Sequence, residues 1–172
     1  MTSGDRLAVT GPNGAGRSTL LSVLAGRLAP TTGRVHRPRN IRLHLLGQES
    51  PHATHRRARD LYDAHTAHLV TAGVLEEGEV VGLTALGLLT SRDAGKAVTE
   101  LSMGQQRRLD LALALAARPH VLLLDEPTDH LSIALVDELT DALHATDAAV
   151  VVATHDRQMQ RDIRNWPHLA LS

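Results

Sequence analysis

The feature that most constrains this chain is the run Gly11-Pro12-Asn13-Gly14-Ala15-Gly16-Arg17-Ser18-Thr19. It lies between an apolar segment, Leu7-Ala8-Val9-Thr10, and a helical one, Ser18 to Ala25, in which Leu20, Leu21, Val23 and Leu24 supply the apolar positions and Gly26 the stop. Two glycines five apart, followed by a base and two hydroxyls, give a loop whose backbone N–H groups can turn inward around a phosphate. The helix that follows adds the positive end of its dipole at the same point. A glycine turn that merely caps a helix has similar local composition, but the strand before and the helix after favour the phosphate loop. Ser18 is then placed to set its hydroxyl on a magnesium ion. The base is Arg17, where such loops ordinarily carry lysine. A planar, bulkier fork keeps positive charge near the phosphates without reproducing lysine's reach. The substitution therefore predicts that nucleotide binding is preserved better than fast hydrolysis.

The rest of the chain agrees with an α/β domain. At 172 residues it is long enough for about one domain with a real core. With one Trp, one Tyr and no Phe, that core must be aliphatic, and recognition of single-stranded nucleic acid by base stacking is largely excluded. Eighteen basic residues against nineteen acidic leave a net charge of −1, which excludes non-specific phosphate-backbone binding by the whole surface. The absence of cysteine excludes disulfides and thiolate metal sites and fits a reducing compartment. The polar start, Met1 to Arg6, has no apolar signal core, and no run approaches the ~18 apolar residues that span a bilayer.

Along the chain, Pro30 to Arg39 suggests a turn and a short strand, and Ile41 to Leu46 a strand. Residues 50–100 are rich in His, Arg, Ala and Gly with a weak apolar signal; they predict a helical arm, with helices over Arg56–Val70 and Glu79–Leu89. Ser102-Met103-Gly104-Gln105 has the form of a capping box before a helix over Arg107–Arg118, which Pro119 stops. Val121–Leu124 and Ala148–Ala153 are wholly apolar strands, and Ser132–His144 is a helix between them. Continuous apolar strands alternating with helices predict a mostly parallel sheet covered on both faces.

Asp125 and Glu126 close one of those strands, at the end where open α/β sheets bind ligands. Asp125 is placed to hold magnesium, and Glu126 to polarise an attacking water; the plainer alternative is an acidic loop at the start of the next helix. Ser102 to Gln105 combines a hydroxyl, a glycine amide and a helix start, which suits an anion, although taken alone a plain N-cap is the favoured reading. Gln48 and His155 each follow a strand end and could reach a γ-phosphate or its water, although either one taken alone reads first as structural. His52, His55, His65 and His68 have ligand-like spacing, but a solvated, histidine-rich arm accounts for them. Arg56, Arg57 and Arg59 form a solvated face before they form an RNA contact.

Taken in order, these motifs resemble the nucleotide-binding domain of ABC ATPases, whose fold is the P-loop NTPase type: a mostly parallel sheet flanked by helices, with a small helical arm. Gly11 to Thr19 resembles their Walker A, Gln48 the Q-loop, Ser102-Met103-Gly104-Gln105 the signature, Leu122 to Glu126 the Walker B, Asp129 the D-loop and His155 the switch histidine. The stretches Glu126-Pro127-Thr128-Asp129-His130-Leu131 and Thr154-His155-Asp156-Arg157 are similar to the ABC-F branch, which usually has Asn where Asp129 stands. The resemblance implies ATP and Mg2+ as ligands, with Ser18, Gln48 and Asp125 on the metal. It also implies that a second ABC domain sandwiches ATP, each signature serving the other domain's nucleotide. For ABC-F members it implies a cytoplasmic protein without membrane insertion that acts on the ribosome or in antibiotic resistance. The family's N-terminal antiparallel portion, with its adenine-stacking aromatic, has no counterpart here, so residues 1–172 are expected to be one ABC domain out of a longer protein, with its arm at about 50–100. The alternatives are the ATPase subunit of a membrane transporter and a catalytically weak nucleotide-binding module.

Overall fold

The computed structural model describes residues 2–47, 54–129 and 131–172, apart from the side chains at 133–135, 138, 142 and 145. The chain divides into two compact units, residues 1–48 with 119–172, and residues 49–118.

The first unit is built on five strands: β1 (Arg6–Thr10), β2 (Leu43–Leu46), β3 (Val121–Asp125), β4 (Ala149–Ala153) and β5 (His168–Ala170). Their order is β2-β3-β4-β1-β5, and every pairing is parallel. The two wholly apolar runs occupy the middle: β4 is buried at all five positions and β3 at four. Only strands covered on both faces can carry such runs. Position in the sheet thus follows from composition, and the exposed β5 takes one edge. In register, Val121 faces Ala149 and Leu43, and Leu7 faces Val151. The carboxyl ends of β1, β3 and β4 therefore lie side by side. Helix α1 (Arg17–Leu24) buries Leu21 against Val9, Leu45, Leu123, Val151 and Ala153. In α5 (Ile133–Ala145), Val136, Leu139, Thr140 and Leu143 share a buried face at helical spacing. Arg6 donates to the carbonyls of Thr146 and Ala148 just beyond that helix, at 2.6 and 2.8 Å, tying β1 to the turn before β4.

The second unit packs α2 (Ala58–Thr71) and α4 (Met103–Ala116) around a cluster that includes Ala58, Tyr62, Leu83, Val98, Leu109 and Leu113. A four-residue helix, α3 (Ser91–Ala94), is capped by the Thr90 hydroxyl. The buried Tyr62 donates its phenol to the Val81 carbonyl at 2.8 Å, which removes the cost of burying a hydroxyl.

The helix expected over Glu79–Leu89 does not form. Two 3-10 turns, Glu77–Glu79 and Leu83–Leu86, stand there instead. Glycine at 82 and 87 is the reason, since each costs a helix interior about 1 kcal/mol relative to Ala. The expected strand within Pro30–Arg39 is also absent: all of residues 31–40 are exposed, so no apolar face could be buried by pairing. α4 begins at Met103 rather than Arg107, because Ser102 and Gln105 cap it reciprocally; Oγ of Ser102 accepts from Gln105 N at 3.2 Å, and Oε1 of Gln105 accepts from Ser102 N at 2.9 Å. β2 is two residues shorter than expected, with Arg42 N bonded to the His120 ring rather than to a strand.

Candidate functional site

The loop after β1 turns because its glycines permit it. A Cβ at Gly11 would lie 2.7 Å from the Leu171 carbonyl oxygen, so a larger residue there must displace backbone. Gly16 takes a left-handed conformation, φ 90°, as the N-cap of α1. This cap contributes no side chain, and no acidic residue stands in the first turn. The amide donors and positive end of α1 are thus left for an outside anion. The start of α4 differs, since its own Ser102 and Gln105 already engage it.

Beside this loop lie the ends of β3 and β4. Asp125 is the last residue of β3 and is buried. Glu126 follows with φ 46°, a left-handed conformation that costs a non-glycine residue roughly 1–3 kcal/mol and that persists where the surroundings enforce it. Its N–H donates to the Ala153 carbonyl at 2.8 Å, clamping the β3 end to β4. His155 leaves β4 just beyond Thr154. Asp156 accepts from Met159 N at 2.7 Å and so caps the short helix α6 (Arg157–Asp162). A cavity of about 400 Å3 results, lined by Asn13, Gly14, Gly16, Arg17, Ser18, Thr19, Glu126 and His155. That volume suits a small-molecule ligand.

The charges in this cavity interlock. Arg17 Nη1 donates to the Gly11 carbonyl at 2.6 Å, and Nη2 donates to Glu126 Oε1 at 2.9 Å and to Asn13 Oδ1 at 3.4 Å. The Glu126 side chain is 2% exposed and that of Arg17 is 10%. His155 Nδ1 lies 2.9 Å from the same Glu126 Oε1, and its backbone N–H donates to Oε2 at 2.9 Å. The hydrogen bond to Glu126, and then its charge, raise the His155 pKa above the ordinary 6.5; Asp129 adds to this and Arg17 opposes it. Oxygens of Glu126 and Asp129 and a nitrogen of His155 all lie within 4.8 Å of one another.

The structure thus brings together Asn13, Gly14, Gly16, Arg17, Ser18, Thr19, Glu126 and His155, with Gly11, Pro12 and Ala15 completing the loop: Ala15 N donates to Pro12 O at 3.1 Å. Asp129 joins Glu126 and His155. Gln48 lies outside the described residues. Ser102, Met103, Gly104 and Gln105 belong to the second unit, where Met103 is the most exposed large apolar side chain among the described residues. His52 lies outside the described residues, and His55, His65 and His68 form no ligand group among them: His65 bonds the Leu113 carbonyl and His55 lies against Thr99. Trp166 is buried with its indole N–H on His144, and Tyr62 is buried in the second unit; each is committed to a core. Sequence reasoning missed the Arg17–Glu126 pair, which spans 109 positions and has no local signal. It also missed the capping role of Asp156, for which an Asp just before a helix was the available sign.

No helix of the described residues is long and apolar enough to cross a membrane. Residues 1–129 match the family model described as ABC transporter. The chain is 43% identical over 156 residues to the tylosin resistance ATP-binding protein TlrC of Streptomyces fradiae, covering 91% of this chain and 27% of that protein. It is 34% identical over 156 residues to ABC transporter F family member 4 of Arabidopsis thaliana, with 91% and 22% covered. With ATP-binding cassette sub-family F member 2 of Mus musculus it shares 32% over 158 residues, with 92% and 25% covered. The chain therefore spans about a quarter of the length of these relatives. Among solved structures, a dimeric ATP-binding cassette in a post-hydrolysis state with ADP and Pi superposes with a TM-score of 0.75 at 24% identity, covering 100% of this chain and 83% of that one. That likeness is one of fold.

Proposed function

The chain belongs to the ABC transporter family of ATP-binding domains, and from that premise we propose that it binds and hydrolyses ATP as one cassette of an ABC-F protein that protects the ribosome or confers antibiotic resistance in the cytoplasm. The observation that carries the catalytic part is the convergence of the glycine loop, Glu126 and His155 on one cavity. The relatives' names support the ABC-F part.

The residues divide the work by chemistry. The loop amides and the start of α1 hold the phosphates. Ser18 and Asp125, with Gln48, offer hard oxygen ligands of the kind magnesium takes, and the buried Asp125 at a strand end beside the loop fits that demand. The metal, when bound, neutralises charge on the phosphate oxygens. Glu126 orients the attacking water and accepts its proton, held on target by two bonds from His155. Ser102 to Gln105 serve the nucleotide of a second ABC domain, and Asp129 faces that partner.

The test is ATP turnover by the purified chain across a dilution series. Activity should rise with the square of protein concentration at low concentration, and Glu126→Gln should lose about 100-fold or more while still binding ATP. Strictly linear activity would contradict the sandwich; unaltered activity in Glu126→Gln would contradict the catalytic assignment. A second reading, a binding module of weak turnover, is favoured by the Arg17–Glu126 pair, which occupies the proposed base in the present arrangement.

A further inference from the structure

In an α1 loop whose usual lysine is replaced by arginine, the guanidinium is not held out toward an anion. It is folded inward, with contacts to Gly11, Asn13 and Glu126, and is nine-tenths buried. A planar fork can serve several acceptors at once, which one ammonium group does less well. The Glu126 carboxylate that receives it is almost wholly buried and is held from the other side by His155. A phosphate entering the cavity needs the same cation that this carboxylate holds.

We infer that Arg17 is a positioning residue acting through Glu126: it latches the carboxylate while the cradle is empty, so that nucleotide entry exchanges Glu126 for phosphate on the guanidinium and releases Glu126 to water. The inference rests on the nucleotide-binding reading of the loop and adds to it a coupling between two residues. Phosphate capture and exposure of the base become one event, and the chain pays for the latch in nucleotide affinity.

Two effects of Glu126 on affinity have to be separated, namely repulsion of the phosphates and sequestration of Arg17. Binding of a non-hydrolysable ATP analogue with magnesium, measured in the parent, Arg17→Met, Glu126→Gln and the double variant, separates them. Relief of repulsion alone tightens binding by the same factor in both backgrounds. The latch requires Glu126→Gln to tighten binding by about fivefold or more beyond the factor seen with Arg17→Met. Glu126→Asp gives an independent reading, because it keeps the charge and withdraws the carboxylate from Arg17; the latch requires tighter binding there too, and repulsion alone requires none. If Arg17→Met abolishes binding, Glu126→Asp decides. Equal factors in both backgrounds, or unaltered affinity in Glu126→Asp, overturn the latch and leave nucleotide binding standing. Failure of the folded parent to bind the analogue overturns the nucleotide reading and the latch with it.

Discussion

The side chain of Glu126 and the residue His155 meet twice: the imidazole Nδ1 lies 2.9 Å from Oε1, and the His155 backbone N–H donates to Oε2 at 2.9 Å. The second bond does not depend on protonation, whereas the first favours the imidazolium and holds the His155 pKa above 6.5. A histidine whose folded pKa is raised gives stability that is complete below its unfolded pKa, near 6.5, and that is lost as pH rises through the folded value. The ring is 59% exposed, so solvent keeps this contribution small. An NMR titration should find His155 protonating above 6.5, and should find its pKa falling back in Glu126→Gln. Denaturation midpoints of His155→Gln should lose part of the decline seen in the parent as pH rises above 6.5.

Gly11 is fixed by the Leu171 carbonyl oxygen, which a Cβ would approach to 2.7 Å. That oxygen is backbone and cannot swing aside. Leu171 N also donates to Thr10 O at 2.8 Å, so the segment after β5 is tied to the end of β1. Gly11→Ala should therefore cost about 1–3 kcal/mol in chemical denaturation and should weaken ATP binding by distorting the loop. Gly33→Ala is the comparison: its φ of 76° strains the backbone, but nothing lies within 4 Å of the added carbon. It should cost less and leave binding unaffected.

The parts of this fold that show in the sequence are those with local causes. β3 and β4 announce themselves as unbroken apolar runs, α4 by its Ser102/Gln105 box, and the loop by the spacing of Gly11 and Gly16. What stays hidden depends on distant partners or on brevity. α6 has six residues and β5 three, all of the latter exposed, so neither carries an apolar period. The segment from Glu79 to Leu89 has enough leucines to suggest a helix, but its glycines leave only single turns. In the site, Glu126 and His155 are visible because each closely follows the end of a buried strand. The inward fold of Arg17 is not, because it is decided by a carboxylate 109 positions away.

Ser102 has two separable roles. Its hydroxyl accepts from Gln105 N at 3.2 Å, so Ser102→Ala should destabilise α4 by about 1 kcal/mol. If the same hydroxyl also serves the nucleotide of a second domain, turnover should fall much further than that loss of stability explains. Ser102→Thr retains a capping oxygen and should recover the stability. Comparing the denaturation midpoint with the turnover rate at one fixed, high protein concentration checks both.

Arg17→Lys asks whether the fork limits catalysis. Arg17 now contacts Gly11, Asn13 and Glu126 together, and a single ammonium on a flexible stem would hold fewer of these and be freer to follow charge onto the phosphates. That network belongs to the empty cradle, so its loss bears on affinity, whereas the ammonium's reach to the phosphate oxygens as charge develops bears on the barrier. The expected result is a rise in kcat of about tenfold, which is ~1.4 kcal/mol of barrier, with a smaller change in Kd for ATP. Single-turnover hydrolysis alongside equilibrium binding measures both quantities. An unaltered kcat would show that arginine at this position does not limit the reaction and would remove the main support for a module of weak turnover.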